Sequence, residues 1–501
     1  MSRAEPTITV DLPDEAGTVA LGEDIAAVLA PGDVVALHGD LGAGKTTLAR
    51  ALIRALANDA ALEVPSPTFT LVQTYATPRL AVAHFDLYRV ADASELVELG
   101  LDDAATEGAV LVEWPDRAGD RLPRRRLDLT LTISGAGRRA TIGGEGPLPE
   151  RVAQSLAARA FLAASGWRAA KRTPIAGDAS ARRYGRIADA NGRTAILMDW
   201  PRAGQLAPDD PRARFRARDA RAFLAVDAAL ASAGLSVPEI YAADTDAGFV
   251  LMEDFGSEPL TVDGAPDPSR FRVVIEALAA LHATPRPAEL PLPDGSIHSL
   301  PHLAGDALVP EIAVFADAYV PFATGRALSR DDRAELMAIW RALGERLAAA
   351  EQSWVLFDVQ TANLFWLPDR AAVRRVGFID FQDMFVGPAA YDVASLLHDA
   401  RVDVRPAVAA ELLAHYGAAR RARGGSFFDE SEFRVALAIS TALRTVKNMG
   451  AFARFARTGN ASYISHLPRL HGYLSRALRA PVLTPFALWY EKRFPSEAAT
   501  P

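Results

Sequence analysis

The sequence predicts an α/β protein built from more than one domain. The chain has 501 residues, which is too long for a single hydrophobic core, so two or three domains are expected. Near the N-terminus, a buried strand, a glycine-rich loop and a helix follow one another over residues 34–54. In the last third, an acid and an amide at positions 358 and 363 precede a strand that ends in another acid at 380. The two patterns indicate two separate α/β units.

Composition favours a soluble globular protein, with 50% apolar and 23% charged residues. The net charge of −8 argues against an autonomous nucleic-acid binder, but it leaves open a subunit of a complex that handles RNA. The chain has no cysteine, which excludes thiolate metal sites and favours a reducing cytosol. No apolar run approaches a membrane span and no signal-peptide pattern opens the chain. We therefore expect a cytoplasmic protein that does not enter a membrane.

The glycine-rich loop matches G-x-x-x-x-G-K-[ST], a phosphate-binding pattern. Its backbone N–H groups and the helix N-terminus favour phosphate, Lys45 is expected to reach the β- and γ-phosphates, and the Thr46 hydroxyl to bind Mg²⁺. The alternative, a glycine turn with an exposed lysine, is disfavoured because the predicted strand before the loop and the predicted helix after it also match the phosphate-loop pattern. The candidate ATP-binding residues are Gly39, Asp40, Leu41, Gly42, Ala43, Gly44, Lys45, Thr46 and Thr47.

Two further predicted strands end in carboxylates. Residues 80–86 end in Asp86, and residues 109–115 contain Glu113 just before Trp114. Acids at strand C-termini lie where a doubly wound sheet places its ligand site. A carboxylate there can hold Mg²⁺ or polarise an attacking water. A single acid of this kind would be interpreted as a solvated strand end, but two acids together with the loop predict a site.

Four stretches of this region resemble the TsaE family, namely residues 39–47, 66–72, 84–89 and 112–115. TsaE is the small ATPase subunit of the bacterial machinery that makes threonylcarbamoyladenosine next to the tRNA anticodon. The resemblance covers roughly residues 7–147. It implies Mg-ATP bound by Lys45 and Thr46, with Glu113 as second metal ligand and Asp86 and Trp114 as further active-site residues.

The same resemblance implies a nucleotide-sensing loop around Thr68. It also implies slow hydrolysis by the subunit alone and docking on a TsaD–TsaB pair, with tRNA contacted only indirectly. The alternative for this half is a generic nucleotide kinase that uses the same phosphate loop.

Composition also predicts where the first domain ends. Residues 127–133 alternate apolar and polar side chains after three arginines, which indicates a strand at a sheet edge and a solvated basic face rather than an RNA contact. Residues 135–149 are rich in Gly and Pro and lack a periodic apolar face. We therefore predict a first domain over 1–147, a linker region over 148–160 and a second domain over 161–501.

The second domain is predicted to have two lobes. Strand patterns dominate an N-lobe over 161–255, and helical patterns dominate a C-lobe over 256–501. In the C-lobe, Asp358 is expected to accept or orient the proton of a substrate hydroxyl, and Asn363 and Asp380 to hold Mg²⁺ against the ATP phosphates. The spacing D-x-x-x-x-N is weak alone, but the strand-end acid and the two-lobed order strengthen it.

This half resembles the aminoglycoside-phosphotransferase-like kinases, on residues 178–184, 391–401 and 452–469 together with the acid–amide–acid pattern. Within them it is most similar to the AmgK type, anomeric kinases of N-acetylmuramate and N-acetylglucosamine in cell-wall recycling. The resemblance covers roughly 155–498 and implies a small amino-sugar substrate. The predicted fold is therefore a P-loop NTPase domain with a mixed or parallel sheet, followed by a two-lobed protein-kinase-like domain.

Two departures from the kinase pattern affect the predicted site. Leu356 stands where a His is usual, and the strand over 195–198 lacks the expected lysine. Arg182 or Arg183 could supply the missing positive charge, with the Ser180 hydroxyl facing phosphate; surface salt bridging is the alternative for the arginines. For the whole half, the alternatives are a pseudokinase that acts as a scaffold, or a kinase of an aminoglycoside, choline or another small hydroxyl compound.

Overall fold

The structure is a computed structural model. It describes residues 7–91, 96, 99–175, 182–201, 215–283, 286–303, 305–423 and 428–494. Contacts between residues divide the chain into two compact units, Met1–Pro201 and Arg202–Pro501, and each is described by itself. The candidate residue Ser180 lies outside the described residues.

A seven-stranded sheet in the order β1-β7-β6-β2-β5-β4-β3 forms the centre of the first unit. Strand β2 runs parallel to β5 and β6, and β4 runs parallel to β5, whereas β1, β3 and β7 pair antiparallel with their neighbours. The sheet is therefore mixed, as predicted. The strands are β1 Ile8–Leu12, β2 Val34–His38, β3 Val72–Tyr75, β4 Ala81–Asp86, β5 Gly108–Glu113, β6 Leu127–Ser134 and β7 Gly137–Gly144.

Strand β6 lies between β7 and β2, so the prediction of an edge strand is wrong. Its neighbour β7 falls inside residues 135–149, where glycine content had indicated a boundary. Those glycines permit close strand approach. A Cβ on Gly137 would lie 2.4 Å from the Leu12 carbonyl oxygen, and one on Gly144 would lie 2.1 Å from the Arg126 carbonyl oxygen.

Helices cover both faces of the sheet and create two apolar cores. One core joins the sheet to α1, which Asp14 caps by accepting a hydrogen bond from the Gly17 N–H at 2.9 Å, and to α2. The other core is formed by α3 and by the side chains of β2, β4 and β5 on the opposite face of the sheet. The helices of this unit are α1 Glu15–Ala26, α2 Lys45–Ala57, α3 Leu101–Glu107 and α4 Pro147–Ala164.

The residues predicted as a linker, 148–160, lie inside α4. Leu148 and Val152 are buried in the same core as α1 and α2. An antiparallel meander then completes the first unit, with strands β8 Lys171–Ile175, β9 Arg183–Ala188 and β10 Thr194–Asp199. The linker residues thus form a packed helix, and the placement of the domain boundary remains a prediction.

The second unit alternates short strand pairs with helices, and it is helical after the last strand. Its long helix α12 packs against α10, α13 and a π-helical turn at Phe315–Tyr319. The strands are β11 Ile240–Asp244, β12 Phe249–Met252, β13 Thr261–Val262, β14 Ala265–Pro266, β15 Glu289–Pro291, β16 Ile297–Ser299, β17 Gln352–Val355, β18 Leu364–Trp366, β19 Val376–Phe378 and β20 Phe385–Pro388. The helices are α5 Ala220–Ser232, α6 Pro268–His282, α7 Val309–Val314, α8 Val320–Thr324, α9 Arg330–Ala349, α10 Ala390–Leu397, α11 Pro406–Ala422, α12 Glu430–Arg457, α13 Leu467–Ala477 and α14 Thr484–Arg493.

Within the described part of the chain, one helical segment, Asp306–Thr324, is long and apolar enough to cross a membrane by length and composition. The sequence had not indicated it. Its residues Ile312, Phe315 and Tyr319 are buried, and the segment packs against α12. Since a core helix passes the same test, this segment is weak support for a membrane span.

Candidate active sites

The phosphate loop occupies residues 39–44, between β2 and α2. Gly39, Gly42 and Gly44 have φ values of 135°, 78° and 107°, a region that glycine enters at little cost. A Cβ on Gly39 would lie 2.4 Å from the Leu131 carbonyl oxygen, whereas nothing lies within 4 Å of one on Gly42 or Gly44. The loop therefore combines a tight approach to β6 with open space at its outer glycines, which suits the approach of a phosphate group.

Lys45 lies at this loop. It is 5% exposed, and its Nζ donates hydrogen bonds to the carbonyl oxygens of Gly39 at 2.7 Å and Asp40 at 2.9 Å. The same Nζ is 3.7 Å from the centroid of the Trp114 ring, a cation–π contact. Burial lowers the pKa of Lys45, against the raising effect of Glu113, Asp86 and Asp40. The structure thus brings the predicted lysine and tryptophan together.

Thr46 and Glu113 meet at the C-terminal ends of β2 and β5. Thr46 Oγ1 donates to Glu113 Oε2 at 3.0 Å, and His84 Nε2 lies 3.0 Å from Glu113 Oε1. Hydroxyl and carboxylate oxygens are the donors that Mg²⁺ prefers, so this pair fits a magnesium ion. Sequence reasoning had not made His84 a site residue, although it precedes Asp86 by two on β4 and a strand period of two places both on one face.

Asp86 fixes the segment that contains Thr68. Its Oδ2 accepts hydrogen bonds from Ser66 Oγ at 2.6 Å and Thr68 Oγ1 at 2.8 Å, and its Oδ1 accepts one from the Tyr88 N–H at 3.0 Å. Asp86 is also opposite Glu113 in the β4–β5 register. The carboxylate therefore connects the predicted sensing loop to the strand that carries the metal candidate, and Ser66 is a further residue that the sequence did not single out.

The second site is built on the turn between β17 and β18. Asn363 Nδ2 donates to the Asp358 carbonyl oxygen at 3.0 Å and to Asp380 Oδ2 at 3.4 Å. Gln382 Nε2 donates to Asp380 Oδ1 at 3.1 Å. The structure brings together the three residues that the spacing singled out, and the amide and carboxylate oxygens of Asn363 and Asp380 suit Mg²⁺.

Cations from distant parts of the chain surround Asp358. Arg444 Nη1 lies 3.3 Å from Asp358 Oδ1. Burial acts to raise the pKa of Asp358, but Lys447, Arg444 and Arg216 together hold it lower, at about 2. Asp358 is therefore ionised near neutral pH and can accept a hydrogen bond from a hydroxyl. None of the three cations had been predicted.

The departure at Leu356 leaves the loop backbone well supported. Asp392, which is fully buried, accepts hydrogen bonds from the Leu356 N–H at 2.8 Å and the Phe357 N–H at 3.2 Å. Phe357 has a φ of 74°, a rare conformation for a bulky residue that persists only where surrounding contacts enforce it. A carboxylate on α10 thus fixes the approach to Asp358.

The two arginines predicted to bind phosphate, Arg182 and Arg183, contact other residues of the first unit. Arg183 Nη2 pairs with Asp199 Oδ2 at 2.8 Å, and Asp199 Oδ1 also accepts a hydrogen bond from Gln154 Nε2 at 2.9 Å. The Arg182 guanidinium lies 5.1 Å from the Trp200 ring centroid. A role of these arginines in binding phosphate remains a prediction.

No cluster of three or more His, Cys, Asp or Glu side chains with the geometry of a metal site occurs among the described residues. Both candidate magnesium sites instead pair one carboxylate with a neutral oxygen donor: the Thr46 hydroxyl in the first and the Asn363 amide in the second. Such a sparse protein donor set is usual for Mg²⁺, which keeps several water ligands and binds nucleotide phosphates.

Comparison with known proteins supports both halves. The family model described as "Threonylcarbamoyl adenosine biosynthesis protein TsaE" matches residues 12–141, and that of the "Phosphotransferase enzyme family" matches residues 171–425. The N-acetylmuramate/N-acetylglucosamine kinase of Caulobacter vibrioides is 33% identical over 360 residues, which cover 68% of this chain and 96% of the relative. The kinase of the same name from Pseudomonas putida is 29% identical over 318 residues, covering 62% and 85%.

The tRNA threonylcarbamoyladenosine biosynthesis protein TsaE of Rickettsia bellii is 37% identical over 122 residues, which cover 24% of this chain and 84% of the relative. Both predicted resemblances and the predicted α/β fold class are therefore confirmed. The chain belongs to the TsaE family through residues 12–141 and to the phosphotransferase enzyme family through residues 171–425, and it is an enzyme of ATPase and phosphotransferase type.

Proposed function

We propose that the chain is a bifunctional cytoplasmic protein that uses Mg-ATP at two sites. The first site belongs to an ATPase subunit required for the N6-threonylcarbamoyladenosine modification of tRNA. The second belongs to an anomeric kinase of N-acetylmuramate or N-acetylglucosamine, with a role in cell-wall sugar recycling. The two families and the names of the relatives support this pairing.

The kinase proposal rests on the contact of Asn363 with both Asp358 and Asp380. Asp358, held ionised by the neighbouring cations, orients the anomeric hydroxyl and takes its proton as the new O–P bond forms and the bond to ADP breaks. Asn363 and Asp380 would hold Mg²⁺, whose charge stabilises the phosphate oxygens. The protein contributes chiefly by positioning these groups.

Sugar phosphorylation by the whole chain tests this proposal. With ATP and N-acetylmuramate, we expect a 1-phosphorylated sugar, and we expect Asp358→Asn to lower kcat by about 10²–10⁴-fold, the usual effect of a general base. Asp369→Asn changes an exposed carboxylate on the same segment and should leave kcat within about twofold of the wild type. A wild-type chain that phosphorylates neither amino sugar would exclude the proposed acceptor.

The altered loop at Leu356 and Phe357 favours one other candidate, a pseudokinase, and a kinase of a different hydroxyl compound is a second alternative. A panel of N-acetylmuramate, N-acetylglucosamine, an aminoglycoside and choline separates them. A product with another acceptor that depends on Asp358 would replace the amino sugar. No Asp358-dependent product with any acceptor would favour the pseudokinase.

The ATPase proposal rests on Lys45 at the phosphate loop and on the Thr46–Glu113 hydrogen bond. Lys45→Ala should abolish nucleotide binding at this site, whereas Lys492→Ala, at an exposed lysine, should not. Both variants are made in a chain that also carries Asp380→Asn, which weakens nucleotide binding at the second site. The affinity for a fluorescent ATP analogue then reports on the first site. Equal affinity in both would contradict the assignment of Lys45.

The proposed partner is a TsaD–TsaB pair, through which the ATPase acts on tRNA only indirectly. We expect the chain to bind this pair in the presence of ATP and its hydrolysis rate to rise on binding. Failure to bind, with ATP binding intact, would favour the alternative of a generic nucleotide kinase in this half.

A further inference from the structure

A pocket adjoins Asp358 in the second unit. Aromatic and aliphatic side chains form most of its lining, including Phe357 and Tyr391, together with two charged residues, Glu311 of α7 and Lys447 of α12. Phe357 immediately precedes Asp358, so one loop supplies both the pocket wall and the proposed base. The pocket is small, about 10 Å³, which is room for about one water molecule, so an acceptor whose hydroxyl reaches Asp358 would place its neighbouring groups beside the pocket.

The positive φ of Phe357 places its ring among three charged or aromatic neighbours. The ring stacks on Tyr391 with centroids 5.8 Å apart and planes 7° apart. Lys447 Nζ lies 3.4 Å from its centroid, and the Arg216 guanidinium lies 4.9 Å from it. These contacts fix both the ring and the ammonium group, so Lys447 is a positioned cation rather than a mobile surface lysine.

Lys447 differs from the other cations near Asp358 in its ion pairing. Arg444 pairs with Asp358 at 3.3 Å, and Arg216 pairs with Asp383 at 2.9 Å. In the part of the chain that the structure describes, no carboxylate oxygen lies within 4.0 Å of Lys447 Nζ. The carboxylates of Asp358 and Glu311 act on Lys447 only from beyond this distance, so the ammonium has no direct ion pair and can gain one from a bound anion.

The two sugars named for the relatives differ in the property that such a cation would detect. N-acetylmuramate carries a lactyl carboxylate on its ring, and N-acetylglucosamine has a neutral hydroxyl at that place. We propose that Lys447 binds the carboxylate of an anionic acceptor and so determines a preference for N-acetylmuramate over N-acetylglucosamine. This inference rests on the proposed kinase function.

Steady-state kinetics of the whole chain with both sugars test the role of Lys447. Lys447→Met keeps an unbranched side chain that is one atom shorter and removes its charge. We expect kcat/KM for N-acetylmuramate to fall about 10- to 100-fold more than kcat/KM for N-acetylglucosamine, as for loss of a charged hydrogen bond. Lys447→Arg keeps the charge and should retain most of the preference. The ratio of the two sugars removes any common effect through Asp358.

An equal fall for both sugars, or an unchanged preference in Lys447→Met, would overturn the inference. Calorimetric binding of each sugar in the absence of ATP provides a second readout that needs no turnover. If the wild type binds N-acetylmuramate in a Lys447-dependent way but transfers no phosphate, the inference holds and the kinase function fails. If the wild type binds neither sugar, both are wrong.

Discussion

At the scale of single residues, Lys447 gives the second site a pH dependence. Burial lowers the pKa of Lys447 to about 8, with Asp358 and Glu311 opposing that effect and Arg216 and Arg444 adding to it. The ammonium is charged below this pKa and neutral above it. Asp358, with its pKa at about 2, stays ionised throughout the range in which an enzyme assay is practical.

KM for N-acetylmuramate should therefore rise with pH, by roughly tenfold at one unit above the pKa of Lys447. KM for N-acetylglucosamine should change less, since that sugar carries no carboxylate. Lys447→Arg should flatten the profile, because a guanidinium remains protonated over this range. Initial rates between pH 6 and pH 10 measure the effect. The same rise in Lys447→Arg would assign it to another group.

The sequence patterns predicted the site residues that lie near one another along the chain. They missed the site residues that the fold brings in from distant segments. The spacing from Asp358 to Asn363 and the strand end at Asp380 are visible in the sequence, because one turn and one strand pair connect them. Arg444 and Lys447 come from a helix far along the chain, where nothing local marks them as neighbours of Asp358. The Asp86–Ser66 contact is of the same kind.

At the scale of elements, α4 shows what composition alone leaves out. Glycine and proline indicated a break before it, and residues 148–160, which make up most of the helix, were assigned to a linker region. Its role depends on long-range contacts that a local pattern does not contain. Ser155 Oγ donates to the Asp24 carbonyl oxygen at 2.8 Å, and Arg159 Nε donates to Asp24 Oδ2 at 2.5 Å. The helix thus completes the fold of the first sheet.

A fragment that ends at residue 147 should be less stable than one that ends at residue 166. The shorter fragment loses the burial of Leu148 and Val152 and leaves Asp24, which is 1% exposed, without Arg159. Removing the partner of a buried charge costs about 3–5 kcal/mol, which corresponds to a fall in Tm on the order of 10 °C. Thermal unfolding of the two fragments measures this difference. Equal Tm values would show that α4 does not belong to the first fold.

At the scale of the whole molecule, the family boundary and the structural boundary do not coincide. The phosphotransferase family match begins at residue 171, whereas the first compact unit continues to residue 201. Strands β8–β10 therefore belong to the kinase family by sequence and to the first unit by contact. Arg172 of β8 shows the connection, since it donates to Ser155 Oγ and lies 3.5 Å from Asp24 Oδ1.

A substitution in the TsaE part should for this reason weaken the kinase part. Asp24→Asn keeps the shape of the side chain but removes the charge that Arg159 and Arg172 share. Arg172, whose side chain is 15% exposed, then loses this carboxylate, and Arg159 keeps the Glu23 carboxylate at 3.4 Å, at a cost of a few kcal/mol. We expect a fall of several degrees in the temperature at which half of the sugar-kinase activity is lost, because each kcal/mol of lost stability lowers Tm by about 2–4 °C in a domain of this size. ATP binding at the phosphate loop should be lost over the same range, because the loop, Asp24 and β8–β10 all lie in the first compact unit.

The matched control is Asp11→Asn, which removes the charge from the Asp11–Arg139 pair in the same compact unit. Arg139 Nε lies 2.8 Å from Asp11 Oδ1, but the Asp11 side chain is 72% exposed. Exposed pairs contribute little to stability, so both inactivation temperatures should stay close to those of the wild type. If Asp24→Asn lowered only the temperature at which ATP binding at the phosphate loop is lost, β8–β10 would unfold independently of the sheet before them. Loss of both activities together would show that β8–β10 unfold together with the sheet before them.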